Sequence, residues 1–159
     1  MGIYRGVLAD ALQRFKYHGD ISLAGVLGSL WKRISLNGNS FEAVIPVPLH
    51  RARLRQRGFN QSLLLGKSLG KMHKIRVLSD ALQRIRNTVP QVDLGLSERA
   101  RNVRGAFAVS RPKEIRDKDL ILVDDVFTTG ATVNECAKVL KRSGARSVFV
   151  LTLARTGVE

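Results

Sequence analysis

The chain has 159 residues, 44% apolar and 25% charged, which suits one globular domain with a real core. Its one cysteine, Cys136, excludes an internal disulfide and a multi-cysteine zinc site; no apolar run is long enough to span a bilayer or form a signal-peptide core, so a cytoplasmic setting without membrane insertion is expected. With 27 Lys and Arg against 13 Asp and Glu, the net charge of +14 points to polyanionic partners, either phosphates or nucleic acid.

In chain order, Val7, Leu8, Ala11, Leu12 and Phe15 recur at helical spacing, so a helix is expected over Val7–Tyr17, stopped by His18-Gly19-Asp20. A second helix is expected over 21–36, with Leu23, Val26, Leu27, Leu30, Trp31 and Ile34 on one side and the turn cluster Asn37-Gly38-Asn39-Ser40 after it. Both precede the first clear strand, so residues 1–40 read as a helical hood over a core at 41–159, within a single domain. That strand is 41–47, and Pro46-Val47-Pro48-Leu49-His50 then forces a rigid, extended loop at its C-terminal end. Arg51, Arg53, Arg55 and Arg57 follow in alternation, and strand-like spacing puts all four on one side as phosphate clamps. Asn60 is placed to cap a helix over 61–72.

The middle of the chain is the basic part: residues 50–104 hold 13 Lys and Arg against only Asp80, Asp93 and Glu98. A strand is expected near 81–85, then a polar, basic stretch from Thr88 to Gly105, a short strand at 105–109 and a polar loop over Arg111–Asp119. Leu120-Ile121-Leu122-Val123 is a short β-branched apolar run, a buried strand, and Asp124 and Asp125 end it. Thr128-Thr129-Gly130-Ala131-Thr132 opens a helix whose apolar face is Val133, Cys136, Ala137 and Leu140. Cys136 on that face reads as a small core residue. Lys141, Arg142 and Gly144 end the helix, and a last strand is expected at 147–153. Strands alternating with helices describe a parallel-sheet α/β fold.

The order strand, acid pair, small hydroxyl-rich loop, helix has a chemical meaning. The loop offers backbone N–H groups, Thr hydroxyls and the positive end of a helix dipole, which suit a phosphate. The acids suit sugar hydroxyls or a hydrated cation carried by the ligand. Together they describe a site for a sugar with a 5'-phosphate.

The stretch Leu120 to Thr132 closely resembles the phosphoribosyl-pyrophosphate (PRPP) signature of the type I phosphoribosyltransferases. Pro46 to His50, Arg57-Gly58-Phe59-Asn60-Gln61, and the string Arg84, Gln91, Leu96, Arg99, Asn102, Gly105, Ala106, Phe107 narrow the resemblance to the ComF/GntX branch of that superfamily. The resemblance implies a central, mostly parallel sheet flanked by helices, with an N-terminal hood. It implies that Asp124 and Asp125 face the ribose 2'- and 3'-hydroxyls and that Thr128, Thr129, Gly130, Ala131 and Thr132 wrap the 5'-phosphate. By analogy Pro48, Leu49, His50 and Arg51 lie near the pyrophosphate, with Mg²⁺ carried by PRPP near the two acids and no direct metal ligand. It also implies a closing loop over Thr88–Gly105, where Ser97 caps a short helix and Arg99 reaches the pyrophosphate as a catalytic residue beside Asp124 and Asp125. One departure stands out: ComF-type proteins usually carry a four-cysteine zinc module, and this chain has one cysteine, so no zinc is expected.

Three functions follow. The first is transfer of a 5-phosphoribosyl group from PRPP to a nitrogen nucleophile. The second is a competence or DNA-uptake role, with single-stranded DNA held by Arg51, Arg53, Arg55 and Arg57. The third is binding of PRPP without turnover. A competence helicase and a second copy of the chain are the protein partners the resemblance brings into view.

Overall fold

The computed structural model describes residues 2–17, 19–36, 40–89 and 95–156. His18, the turn expected at Asn37-Gly38-Asn39, and residues 90–94 of the expected closing loop lie outside the described residues. A two-residue strand, β1 (Gly2–Ile3), leads into α1 (Gly6–Tyr17), which buries Leu12 and Phe15. The second helix is shorter than its apolar pattern suggests: α2 (Leu23–Ser29) tightens into a 3-10 turn at Leu30–Arg33 and is extended by Ile34. Gly25, Gly28 and Ser29 make it a weak helix former. Leu27 and Trp31 still reach the core, whereas Val26 is exposed. The Trp31 indole N–H donates to the Leu65 carbonyl at 3.1 Å, so the large ring is buried without an orphaned donor.

The next strand is β2 (Ala43–Pro46). Where strand-like spacing is expected for the arginines, the backbone forms a helix, α3 (Arg51–Arg57). Its ends explain the correction. His50 Nδ1 accepts from the Ala52 N–H at 3.3 Å, and the Gly58 N–H closes onto the Leu54 carbonyl at 2.8 Å. The four arginines therefore split between two faces, Arg51 with Arg55 and Arg53 with Arg57. α4 (Gln61–His73) follows, with Asn60 Oδ1 accepting from the Ser62 N–H at 3.0 Å as its cap.

The chain continues through β3 (Arg76–Val77), β4 (Leu82–Arg84), α5 (Leu96–Val103), β5 (Phe107–Val109) and α6 (Pro112–Ile115). α6 sits inside the loop expected over Arg111–Asp119 and buries Ile115 completely. α5 starts at Leu96, so Gly95 holds the cap position expected for Ser97, and Glu98 Oε2 accepts its N–H at 3.0 Å. The last elements are β6 (Asp119–Phe127), α7 (Ala131–Arg142) and β7 (Ser147–Arg155).

The central sheet has the order β1-β7-β6-β2-β3, and every pairing in it is parallel. β4 and β5, read in sequence as part of that sheet, instead make a separate antiparallel pair. Pro46 is tolerated inside the sheet because β3 pairs only with Ala43 and Val44, so no ladder asks Pro46 for an N–H. The sheet carries a core on each face. Leu120 and Leu122 pack toward α7 and the β4–β5 pair, and Ile121 and Val123 toward α1, α2 and α4. Among the described residues, no helix is long and apolar enough to cross a membrane.

The connections set the site. β2 crosses to β3 on one side, and β6 crosses to β7 on the other. Their carboxyl ends therefore flank the topological switch point, where open α/β sheets hold ligands.

Candidate functional site

A cleft of about 1380 Å³ opens at the carboxyl ends of β2 and β6. Among the described residues, the cations Lys16, Arg53, Arg57, Arg84 and Arg99 line it together with the carboxylates Asp124 and Asp125. β6 runs through both acids to Phe127, so they sit within the strand rather than past its end.

Strand alternation treats the two acids differently. Asp125 points to the α1 side and is 5% exposed. Lys16 Nζ, from α1, grips it at 2.8 Å to Oδ2 and 3.1 Å to Oδ1. Burial alone lowers the Lys16 ammonium, but Asp125 outweighs it and holds Lys16 above its usual range. Asp124 is partly buried; its Oδ1 accepts from Ser62 Oγ at 2.9 Å and from the Asp125 N–H at 3.0 Å. Burial first, then the Asp125 charge, pushes the Asp124 carboxyl up to about 7, against the pull of Lys16 and the Ser62 bond. The Asp124 carboxyl is thus held toward its protonated form, in which it can donate a hydrogen bond as well as accept one.

The loop after β6 turns on Gly130, whose φ of +76° is the left-handed conformation glycine favours. A Cβ there would lie 2.6 Å from Phe127 Cζ. Thr128, Gly130, Ala131 and Thr132 line the cleft at the start of α7. Thr129 is the exception: it is not part of the lining, and its Oγ1 accepts from the Ala131 N–H at 3.3 Å. Cys136, farther along α7, is buried, and that burial pushes its thiol well up, so it packs as a protonated core residue.

On the opposite lip, Pro48 and Leu49 line the cleft, but His50 and Arg51 do not. Arg53 and Arg57 face in, while Arg51 and Arg55 are exposed on the other side of α3. The Arg57 guanidinium stacks 5.5 Å over the Tyr17 ring. Arg99 reaches the cleft from α5.

Lys16, Ser62 and Arg84 belong to this constellation; Lys16 and Ser62 carry no local motif that announces it, and Arg84 is read in sequence only as the start of a family string, without a site role. Arg84 is 9% exposed, lies 5.3 Å over the Phe107 ring, and donates from Nη2 to Thr88 Oγ1. Arg53 Nη2 donates to the carbonyl of the same Thr88 at 2.8 Å. Arg84 Nε has no partner among the described residues. Burial first, then repulsion from Arg53, lowers the Arg84 guanidinium from its usual range. Two guanidiniums thus converge on one neutral residue at the cleft wall, an arrangement that attracts an anion.

The sequence profile of the phosphoribosyl transferase domain matches residues 65–158. Competence protein F of Haemophilus influenzae is 33% identical over 162 residues, covering 98% of this chain and 71% of that protein. The DNA utilization protein YhgH of Escherichia coli is 42% identical over 115 residues, 72% of this chain and 50% of its own length. Among solved structures, the glutamine phosphoribosylpyrophosphate (PRPP) amidotransferase of B. subtilis superposes with a TM-score of 0.56 at 17% identity, over 83% of this chain and 26% of that one, which speaks to the fold alone. A parallel sheet with its acid pair and glycine turn at the switch point, and these matches, lead to one conclusion: the chain belongs to the phosphoribosyl transferase domain family, in the branch of competence protein F.

Proposed function

We propose that the cleft binds PRPP and that the chain transfers its 5-phosphoribosyl group to a nitrogen nucleophile. The bond from C1 to the diphosphate oxygen breaks, a C1–N bond forms, pyrophosphate leaves with the electron pair, and the nucleophile loses a proton. The carrying observation is that Asp124 and Asp125, the Gly130 turn and the guanidiniums of Arg53, Arg84 and Arg99 line one cleft. In this reading the acids hold the ribose hydroxyls, the start of α7 holds the 5'-phosphate, and Arg53, Arg84 and Arg99 face the diphosphate. Such a site works by positioning and charge stabilisation. The described residues contain no group of three His, Cys, Asp or Glu side chains able to hold a metal. In this reading Mg²⁺ enters as part of the substrate, on the diphosphate. Incubating the protein with PRPP, Mg²⁺ and a panel of bases and amines tests the reading through release of pyrophosphate. Release with one acceptor supports transfer; tight binding with no release across the panel contradicts it and favours a PRPP sensor.

A second reading has its own observation. Arg51 and Arg55 stand exposed on the outer face of α3, turned away from the cleft. The relatives' names, a competence protein and a DNA utilization protein, fit a strand-binding surface there. Salt titration of single-stranded DNA binding tests it. Arg51→Ala with Arg55→Ala lowers the salt slope if the outer face holds the strand; an unchanged slope removes this reading.

A further inference from the structure

The acid pair looks at first like a place for a divalent cation, and the hood side of the cleft argues against it. Lys16 Nζ lies within 3.1 Å of both Asp125 oxygens, and the Val126 N–H donates to Asp125 Oδ1 at 2.7 Å. Lys16 itself is only 28% exposed. Its neighbours fix the helical turn that carries it: Phe15 packs 5.4 Å from Phe59, and Tyr17 lies under Arg57. The ammonium is therefore delivered by a docked helix rather than by a mobile arm. It cancels one of the two carboxylate charges and occupies the position a cation needs. A dication must displace it against charge repulsion and still find further oxygen ligands. A neutral hydroxyl needs only a lone pair or a proton from the pair, and displaces nothing.

We propose that Lys16 determines what the acid pair accepts, admitting the hydroxyls of a pentose and excluding a divalent cation that arrives alone. The identity of the hydroxyl-bearing ligand rests on the phosphoribosyl reading above; the exclusion of the cation does not. The test uses Mn²⁺ alone as probe, followed by the paramagnetic signal of the free ion, on the full chain without ligand. The wild type and Lys16→Arg leave Mn²⁺ free. Lys16→Met binds it at least about tenfold more tightly, and adding Asp125→Asn abolishes that binding. Mn²⁺ uptake by the wild type that matches Lys16→Met and disappears in Asp125→Asn overturns the proposal. A folded Lys16→Met that leaves Mn²⁺ free overturns the role given to Lys16; should that variant fail to fold, Lys16→Gln takes its place, with uptake that the wild type lacks upholding the proposal and no uptake overturning it. Ribose 5-phosphate titrated without metal tests the other half. Binding supports hydroxyl recognition, whereas no binding alongside intact Mn²⁺ exclusion overturns the pentose assignment and leaves the cation exclusion standing.

Discussion

The two walls of the cleft balance charge in opposite ways. Beside α1 the cations already have partners: Lys16 is paired with Asp125, and Arg57, reaching over from α3, is stacked on Tyr17. Where β4–β5 meets α3, Arg84 and the α3 residue Arg53 donate to the neutral oxygens of Thr88, and Arg84 Nε has no partner among the described residues. The first wall is complete as it stands and holds the acids in shape. On the second, Arg84 is buried with no carboxylate bonded to it among the described residues, an arrangement that costs stability and gains from an anionic ligand.

That contrast can be broken from either side. The largest effect is expected from the α1 wall, where Phe15 is fully buried against Phe59. Phe15→Ala should cost about 3–5 kcal/mol in urea unfolding, and a loss under about 1 kcal/mol would mean the helix is not docked as described.

The next effect is a pH dependence centred on the acids. Asp124 titrates near 7 in the fold against a usual 3.8, so the folded state binds the extra proton between those values. Stability from this group is therefore present at low pH and declines as pH rises from about 4 to about 7, by on the order of 1 kcal/mol per pH unit at most. Asp124→Asn should flatten that slope in unfolding curves taken across the window. An unchanged slope would assign it elsewhere.

On the β4–β5 wall, Arg84→Met should leave stability unchanged or slightly raised, because it removes a guanidinium that burial disfavours more than the charge of Asp124 favours. The same change should weaken PRPP binding by about 2 kcal/mol, roughly 30-fold, in calorimetry. Loss of stability with intact binding would reverse the roles given to the two walls. The smallest effect belongs outside the cleft. Arg55→Ala, on the exposed face of α3, should change PRPP affinity by less than about 0.5 kcal/mol.

What was readable in the sequence was whatever is local in the chain. Leu120 to Thr132 carries strand, acids, turn and helix start in consecutive positions, so its pattern alone locates the cleft floor. The misreadings have physical causes. An i, i+2 run of arginines has strand spacing, yet α3 forms because His50 and Gly58 cap it and arginine is a good helix former. β1 and β3 have two residues each, too few to show any period, yet they join the central sheet, whereas β4 and β5, read as part of it, pair apart. Lys16 was invisible as a site residue because its partner is 109 positions away, and only the packing of Leu12 and Phe15 brings its helix over the acids.

The most direct test of the central claim is calorimetric titration of PRPP with Mg²⁺ into the wild type, Asp124→Asn and Asp125→Asn. The account predicts saturable binding by the wild type and a marked loss in both variants, with circular dichroism confirming that each is folded. Wild-type affinity retained in both folded variants would contradict it.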